Sequence, residues 1–188
     1  METQPAIDHY LAKTIEIAQT IDRGAIARAV GLLRATKQRR GRLFILGVGG
    51  SAGNASHAVN DFRKIAGMET YAPTDNVSEL TARVNDESWD AVFCTWLAVS
   101  QLRAGDLLLI LSVGGGSDTV SRNLVRAMEL AKERGASILG IVSRTGGKTR
   151  ELADVCVLVP VVDDQAITPH AESWQGVLLH LLVNLVKD

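Results

Sequence analysis

Two spacings of apolar residues alternate along this chain. Ile7, Leu11, Ile15 and Ala18 recur at helical intervals, and so do Ile26, Val30 and Leu33, so helices are expected over about residues 6–20 and 23–38. Short unbroken apolar runs follow: Phe44-Ile45-Leu46 in a strand at about 42–47, then Leu107 to Leu111, Ile138 to Val142, and Val155 to Val159, the last stopped by Pro160. Runs without polar alternation suit strands buried on both faces of a parallel sheet. Helical patterns lie between them. One runs from Ala52 to about Ala66 and stops at Gly67. A second is capped by Asn76 or Ser78 and broken at Asn85-Asp86. A third, at about 88–102, carries Trp89, Phe93 and Trp96, and is expected at a subunit interface or under the sheet. Further helices are expected at about 118–134, near Thr149–Ala153, and at about 169–187, where Thr168 would cap and Pro169 would take the first helical position.

Strands alternating with helices through short glycine-rich turns predict an α/β fold: a doubly wound parallel sheet flanked by helices, with right-handed crossovers. The 188 residues suffice for one domain, expected over 1–188. The two leading helices, within 1–40, precede any strand, so their apolar stripes face either the domain or another subunit.

Composition narrows the function classes. Hydrophobic residues make up 46 %, charged residues 22 %, and the net charge is −1, so no global basic field draws in nucleic acid. The cluster Lys37, Arg39, Arg40 and Arg42 lacks interleaved aromatics and reads as cations complementing a helix carboxyl end. No apolar stretch reaches the ~20 residues of a membrane span. The start, Met1 to Pro5, has no signal-peptide pattern. Cys94 and Cys156 sit in apolar runs without metal or redox spacing and read as inert thiols. A cytoplasmic location is expected.

The candidate chemistry gathers at two turns. Gly47-Val48-Gly49-Gly50-Ser51 joins the first strand to its helix, and Ser112-Val113-Gly114-Gly115-Gly116-Ser117 follows the second buried strand. Both lie at strand carboxyl ends, where open α/β sheets bind ligands. Hydroxyls and helix N-terminal N–H groups there can hold a phosphate, and three successive glycines cost more entropy than a simple turn demands. The first turn also matches a dinucleotide fingerprint, with Glu69 about 20 residues on; the second serine-bearing turn argues against that reading. His57 and Asp61, four apart on one helix face, read as metal ligands, an acid/base pair or a surface ion pair. By themselves His180 reads as a core histidine, Glu172 as a carboxylate compensating a helix dipole, and His170 as a solvated loop residue.

Taken together, these residues resemble the phosphosugar-binding SIS fold, a flavodoxin-like sheet, and within it the phosphoheptose isomerase family. Gly49-Gly50-Ser51 with His57 and Asp61 resembles that family's strand–loop–helix; Asn85-Asp86 its Asn-Asp pair; Ser112 and Ser117 its phosphate loop; Glu172 and His180 its closing Gln and His. The resemblance implies an aldose–ketose isomerase acting on sedoheptulose 7-phosphate through an enediol(ate), in a homotetramer with sites at subunit interfaces. It implies substrate contacts at Gly49, Gly50, Ser51, Asn85, Asp86, Ser112, Val113, Gly114 and Ser117, and catalysis by Asp61, Glu172 and His180. It also implies Zn²⁺ on His57, Asp61, Glu172 and His180. The chain departs from the family at four places. Asp61 stands for Glu, Glu172 for Gln and Val48 for Asn, and Val113, Gly114 and Gly116 replace polar loop residues. A non-catalytic sugar-phosphate-binding or regulatory module is the alternative expectation.

Overall fold

Five short parallel strands set the frame, each flanked by helices. A computed structural model describes residues 3–188; Met1 and Glu2, the start of the polar N-terminus, lie outside the described residues. In chain order the elements are α1 (Thr3–Thr20), α2 (Arg23–Gln38), β1 (Leu43–Leu46), α3 (Gly50–Lys64), β2 (Thr70–Tyr71), a 3₁₀ turn (Pro73–Asp75), α4 (Val77–Asp86), α5 (Val92–Val99), β3 (Leu107–Leu111), α6 (Arg122–Glu133), β4 (Ser137–Val142), α7 (Gly147–Leu152), β5 (Val155–Leu158) and α8 (Ile167–Val186). The strand order is β2-β1-β3-β4-β5, with every pairing parallel. This is the flavodoxin-like order, and its direction reverses between β1 and β3.

Strand alternation divides the core in two. Leu43, Ile45, Leu107, Leu109, Leu139 and Ile141 face one side, where α2, α3 and α8 cover them. Phe44, Leu46, Leu108, Ile110 and Ile138 face the other, where Phe93 and Leu97 of α5 and Leu124 and Met128 of α6 pack. Successive side chains on a strand point to opposite faces, so an apolar run is consumed by both layers at once.

Several helix ends differ from the expected ones. Asn85 and Asp86 complete the last turn of α4, and the break falls at Glu87 (φ −111°, ψ −86°). The helix expected at 88–102 shrinks to Val92–Val99: Trp89 precedes it, while Trp96 stacks edge-on against Phe44 at 5.8 Å. Residues 118–121 belong to a turn, because Ser121 takes a left-handed φ of 53° before α6 begins. Ala166 rather than Thr168 is the cap residue of α8, with no side-chain capping bond.

At the amino end of the central strands, Asp106 (1 % exposed) accepts hydrogen bonds from Arg42 N (3.0 Å), Arg42 Nη2 (2.6 Å) and Arg103 N (3.1 Å). Arg42 also donates to the carbonyls of Ser100 and Gln101, both at 2.8 Å. The Asp106 hydrogen bond holds the Arg42 guanidinium above its ordinary pKa. Arg42 thus meets the carbonyls that close α5 rather than those of α2, and it pins β1 to the α5–β3 connection.

Candidate functional site

The cleft opens where the sheet order reverses. It encloses about 520 Å³ and is walled by Ser51 from the β1–α3 turn, by Ser112, Gly114 and Ser117 from the β3–α6 turn, and by Arg144 and Glu172. On the first side, Gly49 takes φ +63° and α3 starts at Gly50. The leading N–H groups of a helix have no intrahelical acceptor, so this helix start presents donors to an anion. The Glu172 carboxylate lies against this helix start. A Cβ at Gly50 would overlap its carboxylate. Gly50 is thus the space that lets the Glu172 carboxylate lie against the positive end of α3, where the helix dipole favours it.

On the second side, each hydroxyl accepts a loop amide and keeps its own proton. Ser112 Oγ accepts from Gly115 N at 3.0 Å, and Ser117 Oγ accepts from Val120 N at 3.0 Å. A hydroxyl that accepts in this way still has its O–H to donate, which suits phosphate oxygens. The glycines here have a packing reason as well. Gly115 (φ +76°) lies so close to the Gly146 carbonyl that any Cβ would overlap it. Part of the entropy cost of Gly114-Gly115-Gly116 therefore serves the junction of two loops rather than the ligand.

One to two turns further along α3 lies a second group. Asp61 Oδ2 sits 3.4 Å from His57 Nε2 and 3.2 Å from His180 Nδ1, and the two imidazoles meet edge to face at 5.1 Å. The potential ligand atoms of His57, Asp61 and His180 all lie within 4.8 Å of one another. The Asp61 side chain is 13 % exposed, whereas both histidines are more than half exposed. His180 is therefore not sealed in aliphatic packing. It projects from the α3–α8 seam, its leucine neighbours Leu178, Leu179 and Leu182 turning inward.

Glu172 does not join this group. It lies eight residues before His180 on α8, about 12 Å of helix rise, and its carboxylate is committed to the start of α3. Nor do His57, Asp61 and His180 wall the cleft. Asn85 and Asp86 are also absent from its walls; they stand exposed, with Asn85 Nδ2 donating to Asp86 at 2.7 Å. Val48 and Val113, two of the chain's departures from the resembled pattern, do line it and add apolar surface there.

Three residues enter that local patterns did not single out. Asn54 Nδ2 donates to the Glu172 carbonyl at 2.9 Å and to Gln175 Oε1 at 3.1 Å, tying α3 to α8 behind the cleft. Gln175 is fully buried beside it. Arg144 reaches the cleft from the end of β4; the general rule for strand carboxyl ends was its only signal. His170, expected in solvent, is 3 % exposed and stacks on Tyr10 of α1 at 4.3 Å, because α8 begins early enough to draw it inside. Cys94 and Cys156 are half-buried free thiols, and burial pushes both above the ordinary cysteine pKa. Among the described residues, no helix is long and apolar enough to cross a membrane.

Comparison with known proteins bears on the family and the fold. The SIS domain family model matches residues 9–143. A phosphoheptose isomerase of Rhodospirillum rubrum is 34 % identical over 169 residues, covering 87 % of this chain and 85 % of the relative. One of Geobacter metallireducens is 32 % identical over 180 residues, covering 92 % and 90 %. Among solved structures, the phosphoheptose isomerase of Neisseria gonorrhoeae superposes with a TM-score of 0.85 at 27 % identity, covering 98 % of both chains. The family-model match, the close superposition over nearly the whole chain and this degree of identity over most of the length lead to one conclusion: the chain belongs to the phosphoheptose isomerase family of SIS-domain proteins.

Proposed function

We propose that this chain interconverts sedoheptulose 7-phosphate and D-glycero-D-manno-heptose 7-phosphate through an enediol(ate). The observation that carries the reading is the cleft itself: hydroxyl donors and a helix start on its walls, with one carboxylate, Glu172, beside them. Ser51, Ser112, Ser117 and neighbouring amides receive the phosphate. Glu172 moves the proton between C1 and C2, as a positioned carboxylate can. The apolar side chains of Val48 and Val113 keep water from the carbanion-like centre. The test is isomerisation in deuterated water. Deuterium is expected at C1 of the ketose and C2 of the aldose. Thermal stabilisation by sugar phosphate without exchange would instead support a binding module, the reading that the thinned second loop favours.

A metal reading applies to the second group. Two imidazoles and a carboxylate are donors of the kind that holds Zn²⁺, and the spacing of His57, Asp61 and His180 suits one ion. When bound there, Zn²⁺ supplies Lewis acidity toward a carbonyl or hydroxyl oxygen. Near-stoichiometric zinc is expected by metal analysis, with a rise in melting temperature on its addition. Both should vanish in His57→Ala and in His180→Ala; an unchanged zinc content in these variants would defeat the assignment.

The assembly is proposed to be a homotetramer acting in the cytoplasm. Exposed stripes support it: Ile7, Leu11 and Ile15 on α1, and Val177, Leu181 and Leu185 on α8, each spaced by four and each between 41 % and 58 % exposed. Apolar rows of this kind mark association surfaces. The second stripe brackets His180, so a neighbouring subunit would border the histidine group. Sedimentation equilibrium should return four chains per particle; a monomer at micromolar concentration would defeat this.

A further inference from the structure

We propose that Arg144 is the cation that seats the substrate's phosphate, holding it against the β3–α6 turn and so directing the C1–C2 end of the sugar toward Glu172. The inference rests on the sugar-phosphate reading above and names a residue for it that none of the motifs contained.

Four observations converge on Arg144. First, among the described residues it is the one cation in the cleft's walls, as Glu172 is the one carboxylate. A dianionic phosphate entering a cleft with one residue of each sign is attracted to one and repelled by the other, which gives the site a polarity. Second, Arg144 makes no ion pair or side-chain hydrogen bond among the described residues, whereas Arg42, Arg83 and Arg122 each have a carboxylate partner. Its guanidinium fork remains available for the two-pronged contact that phosphate oxygens favour.

Third, its backbone is held in an unfavourable state. Arg144 has φ +54°, in the left-handed region that a residue with a Cβ rarely adopts. Among the described residues four non-glycines take that region, and two of them, Ser121 and Arg144, wall this cleft. Strain held by its surroundings is a pointer to function when found at a site. Fourth, the loop that carries Arg144 is fastened to the phosphate turn. Ser143 N donates to the Val113 carbonyl at 3.0 Å, Lys148 N to Gly116 at 2.9 Å, and Thr149 N and Oγ1 to Gly115 at 2.9 and 2.8 Å. The β4–α7 loop and the β3–α6 turn therefore form one rigid unit, with the serine hydroxyls on one part and the guanidinium on the other. The same cation compensates for the polar side chains that Val113, Gly114 and Gly116 do not supply.

The test uses the full-length protein as purified, with Arg144→Met, Arg144→Lys and Arg144→Gly. Inorganic phosphate binding is read by calorimetry, and kcat and KM are read with sedoheptulose 7-phosphate. Arg144→Met should weaken phosphate binding and raise KM by about 10- to 100-fold, the range for a charge-assisted contact to a phosphate, with kcat little changed. Arg144→Lys should recover part of the loss, since it keeps the charge without the fork. Arg144→Gly tolerates the left-handed backbone, so it should melt no lower than the wild type and still lose phosphate affinity. Phosphate affinity and KM unchanged in Arg144→Met and Arg144→Gly, in a wild type that turns over, would overturn the proposal alone. A loss of kcat at constant KM would also overturn it. Phosphate binding that depends on Arg144 in a wild type that shows no isomerisation would support the anion seat and remove the heptose assignment instead.

Discussion

Glu172→Gln is expected to lower kcat for the heptose phosphate by about 10²- to 10⁴-fold, the span for loss of a positioned acid/base group, with KM and melting temperature close to wild type. The substitution keeps shape and hydrogen-bonding reach but removes the group that accepts a proton. Glu172 is the carboxylate of the cleft wall, lodged against the first residue of α3. The other candidate base, Asp61, already faces two imidazoles at 3.4 and 3.2 Å and lies outside the cleft wall. Single-turnover kinetics with Glu172→Gln separate the two bases: retained turnover would transfer proton movement to Asp61 and leave Glu172 a binding role.

The largest stability effect should come from the other end of the sheet. Asp106→Ala is expected to cost about 3–5 kcal/mol, the range for removing one member of a buried ion pair. For a chain of this size that corresponds to a fall of roughly 6–20 °C in melting temperature. The aspartate receives the Arg42 and Arg103 amides and the Arg42 guanidinium at once, in a position 1 % exposed. Without it, a partly buried cation and two amides lose their acceptor, and β1 loses its tie to the α5–β3 connection. Differential scanning calorimetry reads the change directly; a shift of less than about 2 °C would mean that water or the Ser100 and Gln101 carbonyls replace the carboxylate.

Much of this architecture was legible in the residue pattern, for a local reason. A run such as Leu107 to Leu111 has no polar position to present to solvent, so it must lie between two layers, and it does. Glycines after such runs mark strand carboxyl ends, where α/β sheets bind ligands. Gly49-Gly50-Ser51 and Ser112 to Ser117 could therefore be assigned to one cleft. The family resemblance, not the local pattern, singled out His180 beside His57 and Asp61, and the three do meet, although in a group beside the cleft rather than on its wall.

What the chain order could not disclose is which distant loops touch. Periodicity is a property of neighbours three or four residues apart; contact between Gly115 and Gly146, or between Gly50 and Glu172, depends on strand order and on how deeply a helix sits. The sequence by itself determined that strands alternate with helices, that two glycine turns end the central strands, and that α3 carries a histidine and a carboxylate on one face. Only the tertiary structure decided that β4 lies beside β3, bringing Arg144 to the β3–α6 turn, that Glu172 settles on the start of α3 and away from His180, that His170 is enclosed, and that Arg42 pairs with Asp106. The physical reason is the same in each case. Burial, charge pairing and loop contact are set by the packing of elements far apart in the chain, and no local spacing encodes them.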